Sequence, residues 1–385
     1  MTRITLPQMP GLAAVVAALA GDVRLVGGVV RDTLAGVPIK DVDLATSLAP
    51  ETVIARLEAA GLKAVPTGLA HGTVTAVAEG KPFEITTLRR DVATDGRHAT
   101  IAYTDDWRED AARRDFTVNA LYADPASGAV FDYFGGIEDL AAGRVRFIGE
   151  PLQRIAEDHL RILRFFRFTA RFGTSGPDAD SLAACRTRAN DLMALSRERI
   201  AMEVMALLAL PDPAATIALM IDNGIFAPVL PEITSAAPLA QLIAREAAEQ
   251  VAADPLRRLS ALLAPDPDLA EDIANRLKFS NAQRKRMVAV AGRGPDDAAN
   301  PRALAYWQGM EIATDRLLLG TGSLAPIKGW DVPRFPLSGG AIVARGVAAG
   351  PEVARILQAS ERQWVAEGFP DESRAAAIVD QLIAA

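Results

Sequence analysis

Cysteine is almost absent. Cys185 is the only one among 385 residues, so no disulfide can form within the chain, and the sequence reads as that of a protein from a reducing compartment, the cytosol by default. Histidine is nearly as scarce: His71, His98 and His159 are too few for a multi-histidine metal centre or a His-Asp phosphohydrolase module. Aromatic residues make up 5%, and the 29 glycines and 24 prolines are dispersed without period, which excludes collagen-like and repeat architectures. No apolar run reaches the ~20 residues of a membrane-spanning helix, so no membrane partner is expected. The run from Leu12 to Ala20 loosely resembles an export signal, but Pro7 and Pro10 precede it with Arg3 as the sole basic residue, and it is read as a packed Ala-rich helix.

What is there is a globular composition, 50% hydrophobic and 23% charged, in a chain long enough for more than one domain. The net charge of −7 argues against a generally basic nucleic-acid binder. Its distribution argues otherwise, because between Arg144 and Arg171 seven arginines face only Glu150, Glu157 and Asp158. Up to about residue 150 short strands and helices mix. Val23 to Val26 and Asp41 to Thr46 read as strands, Thr73 to Ala78 and Phe83 to Leu88 as a hairpin, and Val29 to Ala35 and Glu51 to Ala60 as helices. After about Pro151 helical periodicity runs to the end, broken by Pro/Asp/Gly clusters. The expected domains are 1–150, 151–265 and 266–385.

Three clusters carry chemistry. In Gly27-Gly28-Val29-Val30-Arg31-Asp32 a strand ends in two glycines and a helix begins, which makes either a phosphate cradle, with Arg31 adding a bidentate contact, or simply a tight turn. Lys40-Asp41-Val42-Asp43-Leu44 reads as a strand with Asp41 and Asp43 on one face and Val42 and Leu44 in the core. Paired carboxylates repel unless a cation lies between them, and hard oxygen ligands suit two Mg²⁺ ions as used in in-line phosphoryl transfer. Glu84, between Phe83 and Ile85, is a third carboxylate that faces either this cleft or solvent.

These motifs, with Arg113-Arg114-Asp115-Phe116-Thr117-Val118-Asn119-Ala120, resemble those of the class II CCA-adding enzyme and bacterial poly(A) polymerase family. The resemblance continues through Asp95-Gly96-Arg97, which is similar to the family's flexible loop, Glu157-Asp158-His159-Leu160-Arg161-Ile162-Leu163-Arg164, similar to its nucleobase-reading helix, Leu195-Ser196-Arg197-Glu198-Arg199-Ile200 and Leu230-Pro231-Glu232. It spans residues 21 to 232. Leu88 stands where Phe is common and His98 where a second basic residue is frequent; beyond about residue 240 no motif is recognised.

The resemblance implies an α+β chain: a mixed-sheet, polymerase-beta-like nucleotidyltransferase head followed by all-helical neck, body and tail. It implies that Asp41 and Asp43 hold two Mg²⁺ ions beside Glu84 as a third catalytic carboxylate, that Gly27, Gly28 and Arg31 bind phosphates, and that Arg114, Asp115 and Asn119 meet the nucleotide, Asp115 at the ribose. The implied substrates are CTP, ATP and the 3′ end of tRNA, in the cytoplasm.

The helix after Pro151 adds a physical argument. Asp158 and Arg161 stand at i and i+3, with Arg164 and Arg167 continuing the row. A carboxylate accepts and a guanidinium donates, which matches the amino donor and ring-nitrogen acceptor of cytosine and adenine and mismatches uracil and guanine. The same row would also serve as a salt-bridge ladder. Rival readings are poly(A) addition, CC-only or A-only addition, and a catalytically silent RNA-binding protein, against which Asp41 and Asp43 argue.

Overall fold

Alternation in Val23-Arg24-Leu25-Val26 sends Leu25 to one side of a strand and Val26 to the other, and a sheet built from such strands separates two faces. The computed structural model describes residues 2–5, 8–95 and 98–384. The chain divides into two compact units, Met1–Pro231 and Glu232–Ala385.

The first unit carries a seven-stranded sheet in the order β3-β4-β5-β2-β1-β8-β9. Its strands are β1 (Val23–Val26), β2 (Asp43–Thr46), β3 (Lys63–Gly68), β4 (Thr73–Ala78), β5 (Lys81–Thr87), β8 (Leu121–Ala123) and β9 (Val130–Asp132), and β6 (Arg89–Asp95) pairs with β7 (His98–Tyr103) in a separate hairpin. All pairings are antiparallel except β2 with β5, so the sheet is mixed. The β4–β5 hairpin closes on Glu79 and Gly80, both at positive φ (48° and 72°), as a two-residue turn matched to strand twist requires.

One face of the sheet is covered by α1 (Leu12–Ala18), α2 (Gly28–Leu34) and α3 (Pro50–Ala59). Leu12, Val15, Leu25, Val29, Leu44, Val53, Leu57, Phe83 and Ile85 form its core. The Ala-rich segment near the N-terminus is thus a packed helix. On the opposite face Val26, Ala45, Leu88, Ala111 and Tyr122 form a smaller core under α4 (Trp107–Ala112). Because Asp43 and Ala45 share parity, as do Glu84 and Thr86, the acidic residues look out from this second, less covered face.

β2 begins at Asp43, two residues later than expected: Asp41 precedes the strand and is exposed. The hairpin arms β6 and β7 flank Asp95-Gly96-Arg97; Gly96 and Arg97 lie outside the described residues.

From α5 (Gly136–Ala141) onward the described residues form no further strand once β9 is passed. The first unit continues with α6 (Pro151–Glu157), α7 (Arg161–Phe172), α8 (Ala179–Thr187), α9 (Arg197–Leu208) and α10 (Ala214–Asp222). α7 presses Phe165 and Phe168 against Phe116, with ring centroids 6.4 and 5.3 Å apart.

The expected single helix through Asp158 and Arg161 is interrupted. α6 stops at Asp158, whose backbone is extended (φ −153°), and the Asp158 carboxylate accepts from Leu160 N–H at 3.1 Å. A short acidic side chain competes successfully with the helix ladder here, so the break needs neither Gly nor Pro.

The second unit is helical among its described residues, from α11 (Ala237–Ala248) to α20 (Glu372–Ala384). In it Glu246 accepts from Arg257 at 2.7 Å and Arg258 at 2.8 Å, all three buried, and buried Asp315 accepts from half-buried Arg286 at 2.8 Å.

Candidate active site

The parallel pairing of β2 with β5 sets Asp43 opposite Glu84. Both residues remain open to solvent at the rim of the second sheet face, with exposed Asp41 just ahead in the chain. Partial burial comes first in pushing the Asp43 carboxyl above its usual range; the charges of Glu84 and Asp41 add to the push and Arg114 opposes it. A cluster of carboxylates with one opposing arginine is what a cation would relieve. No three Asp, Glu, His or Cys side chains converge on a single point among the described residues. The described residues therefore offer fewer than three converging carboxylates, which fits Mg²⁺, an ion that keeps water and takes phosphate oxygens alongside one or two carboxylates.

The turn leading into α2 is conformationally special. Gly27 sits at φ 65°, and a side chain there would be strained and would lie 3.4 Å from both Arg114 Nη1 and the Asn119 carbonyl oxygen. Thus the glycine turn, the Arg114 guanidinium and the Asn119 backbone lie together.

Arg114 is fixed by a buried hub that sequence reasoning missed. Asp110, on α4 and 1% exposed, accepts from Arg113 Nη2 at 2.7 Å, Arg114 Nη2 at 3.3 Å, Tyr122 Oη at 2.6 Å and the Arg89 N–H at 3.2 Å. Burial alone would raise its carboxyl; Arg114, Arg113 and the Tyr122 hydroxyl outweigh that and hold it at about 2. Arg114 Nε also donates to Tyr122 Oη at 3.1 Å. Burial works against the Arg114 cation, yet Tyr122 and Asp110 leave its pKa above the ordinary value. The i, i+3 and i, i+4 spacing of Asp110 to Arg113 and Arg114 was the available signal.

Asp115 is 8% exposed and fully engaged: Oδ1 accepts from Phe116 N–H and Asn119 Nδ2, both at 2.9 Å, and Oδ2 from Arg164 Nε at 2.7 Å. Burial raises its carboxyl, and Arg164, Asn119 and the backbone bond overcome this to place it at about 2.

The sequence-predicted base readers are separated by the helix break. Asp158 accepts from Arg199 Nη2 on α9 at 2.8 Å. Arg161 donates to Glu157 at 2.6 Å and to the carbonyls of Arg154 and Arg113 at 2.8 and 3.0 Å, so it braces α6 and the Arg113 segment instead of pairing with Asp158. Arg167 is held by Glu203 of α9 at 2.6 Å, with Arg164 3.7 Å from the same carboxylate. Glu203 lies one turn from Arg199 on α9; Arg199 belongs to the motif Leu195 to Ile200, whereas Glu203 was missed because it reads in sequence as the polar face of an ordinary helix.

Arg31 is 5% exposed, paired with Asp32 at 2.7 Å and bonded to Asn119, and its Nη2 would lie 3.8 Å from a Cβ placed at Gly28, so the guanidinium stands beside the glycine turn.

The chain matches the model of the poly A polymerase head domain over residues 23–146 and that of the probable RNA and SrmB-binding site of polymerase A over residues 177–237. It is 34% identical over 377 residues to the mitochondrial CCA tRNA nucleotidyltransferase 1 of Mus musculus, covering 90% of this chain and 84% of that protein. The structure of the Bacillus stearothermophilus CCA-adding enzyme in complex with CTP superposes with a TM-score of 0.75 at 27% identity, over 96% of each chain. The Thermotoga maritima CCA-adding enzyme complexed with tRNA shares the fold, with a TM-score of 0.70 at 18% identity. Enzymes of this kind use a divalent metal ion, in keeping with the crowded carboxylates at the start of β2. With the head and the RNA-binding region both matched, and one relative aligned over nearly its whole length, the chain belongs to the family of class II CCA-adding tRNA nucleotidyltransferases and bacterial poly(A) polymerases.

Proposed function

We propose that this protein adds C, C and A to the 3′ end of tRNA from CTP and ATP without a nucleic-acid template. The observation that carries the reading is the pairing of Asp43 with Glu84, beside Asp41 and under Arg114. Asp41 and Asp43, with Glu84 adjoining, would hold two Mg²⁺ ions; when bound, these supply the positive charge that in-line displacement at a nucleotide phosphorus needs. The chain's own residues do the rest. Arg114, locked by Asp110 and Tyr122, presents a fixed cation beside the Gly27 turn, where triphosphate oxygens would lie. Asp115 and Asn119 would frame the ribose side, and Asp158, Arg161, Arg164 and Arg167, on exchanging their partners Arg199, Glu157, Asp115 and Glu203 for a base, would supply the acceptor and donors that select C and A over U and G.

In this reading residues 1–150 form the catalytic head, 151–265 the neck and body, and 266–385 the tail, the helical part gripping tRNA mainly through backbone phosphates. The single cysteine favours a cytoplasmic location. By the resemblance, Asp95, Gly96 and Arg97 take part in switching the pocket from C to A, so Arg97→Ala should spare both C additions and impair the terminal A. The test is product-length analysis on a tRNA transcript lacking CCA, with CTP and ATP both present. Wild-type protein is expected to stop at CCA; a long A-only ladder would make it a poly(A) polymerase instead.

A further inference from the structure

Two arginines of the second unit, Arg245 and Arg293, form no ion pair with a carboxylate among the described residues. On α11, Pro238, Gln241, Leu242 and Arg245 stand at i, i+3, i+4 and i+7, so one stripe of the helix carries them together. That stripe lines a largely enclosed cavity of about 90 Å³. Arg293, just past the end of α14 (Asn281–Ala291), lines it from another side, and Ala261 and Leu318 add apolar wall.

Arg245 donates to carbonyls at and beyond the end of α17 (Met310–Leu319): Nη1 to Leu318 at 2.9 Å and to Gly320, Nη2 to Gly322. These bonds cap the helix, but the acceptors are neutral and leave the charge uncompensated. Arg293 is held more loosely. Half-buried, it meets the carbonyls of Val290 and Leu263 at 3.5 and 3.4 Å, beyond the roughly 2.7–3.2 Å of a good N–H···O bond. Burial lowers its pKa, and the Arg316 cation lowers it further. Arg316 has its own counter-charge in Asp297, at 2.7 and 2.9 Å, and Asp297 also accepts the Gly294 N–H at 3.0 Å.

Two guanidinium groups and an amide thus converge on a space with apolar walls, where a low dielectric makes an unpaired cation costly and an anion's attraction strong. Size decides which anion. The cavity is several times what one water needs, ~10–15 Å³, so it admits a tetrahedral oxyanion and is too small for a nucleotide. Guanidinium forks match phosphate oxygens, and a phosphate ion with roughly one to two negative charges near neutral pH balances two arginines. A backbone phosphate carries a sugar on either side, which an enclosed cavity shuts out.

We propose that this cavity is an anion site that takes a free phosphate ion, held by Arg293 and Arg245 with exposed Gln241 at its mouth. Bound there, the ion completes the charge where α11, the end of α14 and the end of α17 meet. The site involves no residue of the nucleotidyl-transfer reading and lies wholly within Glu232–Ala385.

The test is titration of inorganic phosphate into the full chain without Mg²⁺, followed by calorimetry and by thermal unfolding at constant ionic strength, for wild type and Arg293→Gln, Arg293→Lys and Gln241→Leu. Phosphate affinity should fall at least about tenfold in Arg293→Gln and by less in Arg293→Lys, which keeps the charge and loses the fork. Gln241→Leu, an exposed substitution, should weaken it by about threefold, one neutral hydrogen bond's worth. In chloride alone Arg293→Gln should unfold at or above the wild-type midpoint, because an unpaired charge has been removed. Phosphate should raise the wild-type midpoint well beyond that of Arg293→Gln, since its general effect on burial is common to both proteins. Equal phosphate shifts in the two would overturn the site. So would an Arg293→Gln midpoint far below wild type in chloride, which would make Arg293 a brace for the Val290 and Leu263 carbonyls. Displacement of the Arg293-dependent phosphate by tRNA, with tRNA affinity itself about tenfold weaker in Arg293→Gln, would overturn the free ion in favour of a phosphate of the RNA backbone.

Discussion

Two aspartates serve the same face of the sheet and are treated in opposite ways. Asp43, at the start of β2, meets two more carboxylates and one arginine, and its carboxyl is pushed up. Asp110, under α4, meets two arginines, a tyrosine hydroxyl and a backbone N–H, and is held at about 2. The first arrangement is electrostatically incomplete and the second is complete. Uncompensated charge at an open rim marks where a cation and substrate enter, whereas compensated charge in the interior marks what holds the site in shape.

Removing the incomplete aspartate should have the largest effect. Asp43→Ala is expected to lower nucleotide addition by at least about a thousandfold, the scale of several kcal/mol of charge stabilisation. Affinity for tRNA, measured by filter binding, should change little, because backbone contacts elsewhere supply it. Loss of both together would assign Asp43 to the fold instead.

Breaking the complete cluster should cost both stability and rate. Asp110→Asn leaves Arg113 and Arg114 without their buried counter-charge, a loss of about 2 kcal/mol by linkage from its lowered pKa. Denaturant unfolding should register it, and kcat should drop as Arg114 loses its anchor. An unchanged unfolding midpoint with normal kcat would remove the hub from the account.

Glu203→Gln should be milder. Arg167 would keep a neutral partner, but the α7 row would loosen, and discrimination of CTP from UTP should fall by about tenfold, within the range of one disturbed hydrogen bond. Competition assays with mixed nucleotides read this directly.

The smallest effect sharpens the comparison through pH. Asp110 and Asp115 have folded values of about 2, below the ordinary 3.8, so the stability they contribute is present above pH ~4 and lost as pH falls toward 2. For Asp110 this amounts to roughly 2 kcal/mol by linkage. Asp43, raised, has the opposite sign: it favours the folded state below its ordinary value and costs stability once pH rises past it. Acid titration of unfolding free energy for wild type and Asp110→Asn should therefore diverge above pH 4 and converge toward pH 2.

Much of this was legible in the sequence wherever local pattern and chemistry agreed. β5 alternates cleanly, β1 and β4 are short β-branched runs bounded by turn residues, and the acidic motif and glycine turn announce themselves by residue type. β3 was missed because it is an edge strand with an irregular register near Val65 and mixed exposure, so it shows no period of two. β8 and β9, at three residues each, are too short to carry one. The ring contacts of Arg31 were not legible because a turn of helix specifies spacing but not which neighbour rotates into contact, and Phe168 lies far along the chain. Asp158 and Arg161 were placed on one helix because nothing in residues 157–161 breaks a helix except the Asp158 side chain itself. Asp110 and Glu203 stayed hidden because a buried carboxylate and a solvated one look alike until the arginines around them are placed.

The most direct test is thermal unfolding of wild type and Asp43→Asn with and without Mg²⁺, in the absence of nucleotide. The account predicts that Mg²⁺ raises the midpoint of wild type, by mass action on a site that repels itself when empty. It also predicts that Asp43→Asn starts at or above wild type without Mg²⁺, having lost that repulsion, and gains little when the ion is added. An equal Mg²⁺ shift in both proteins, or none in wild type at millimolar concentrations, would contradict the claim that the incomplete charge at the start of β2 is where the cation binds.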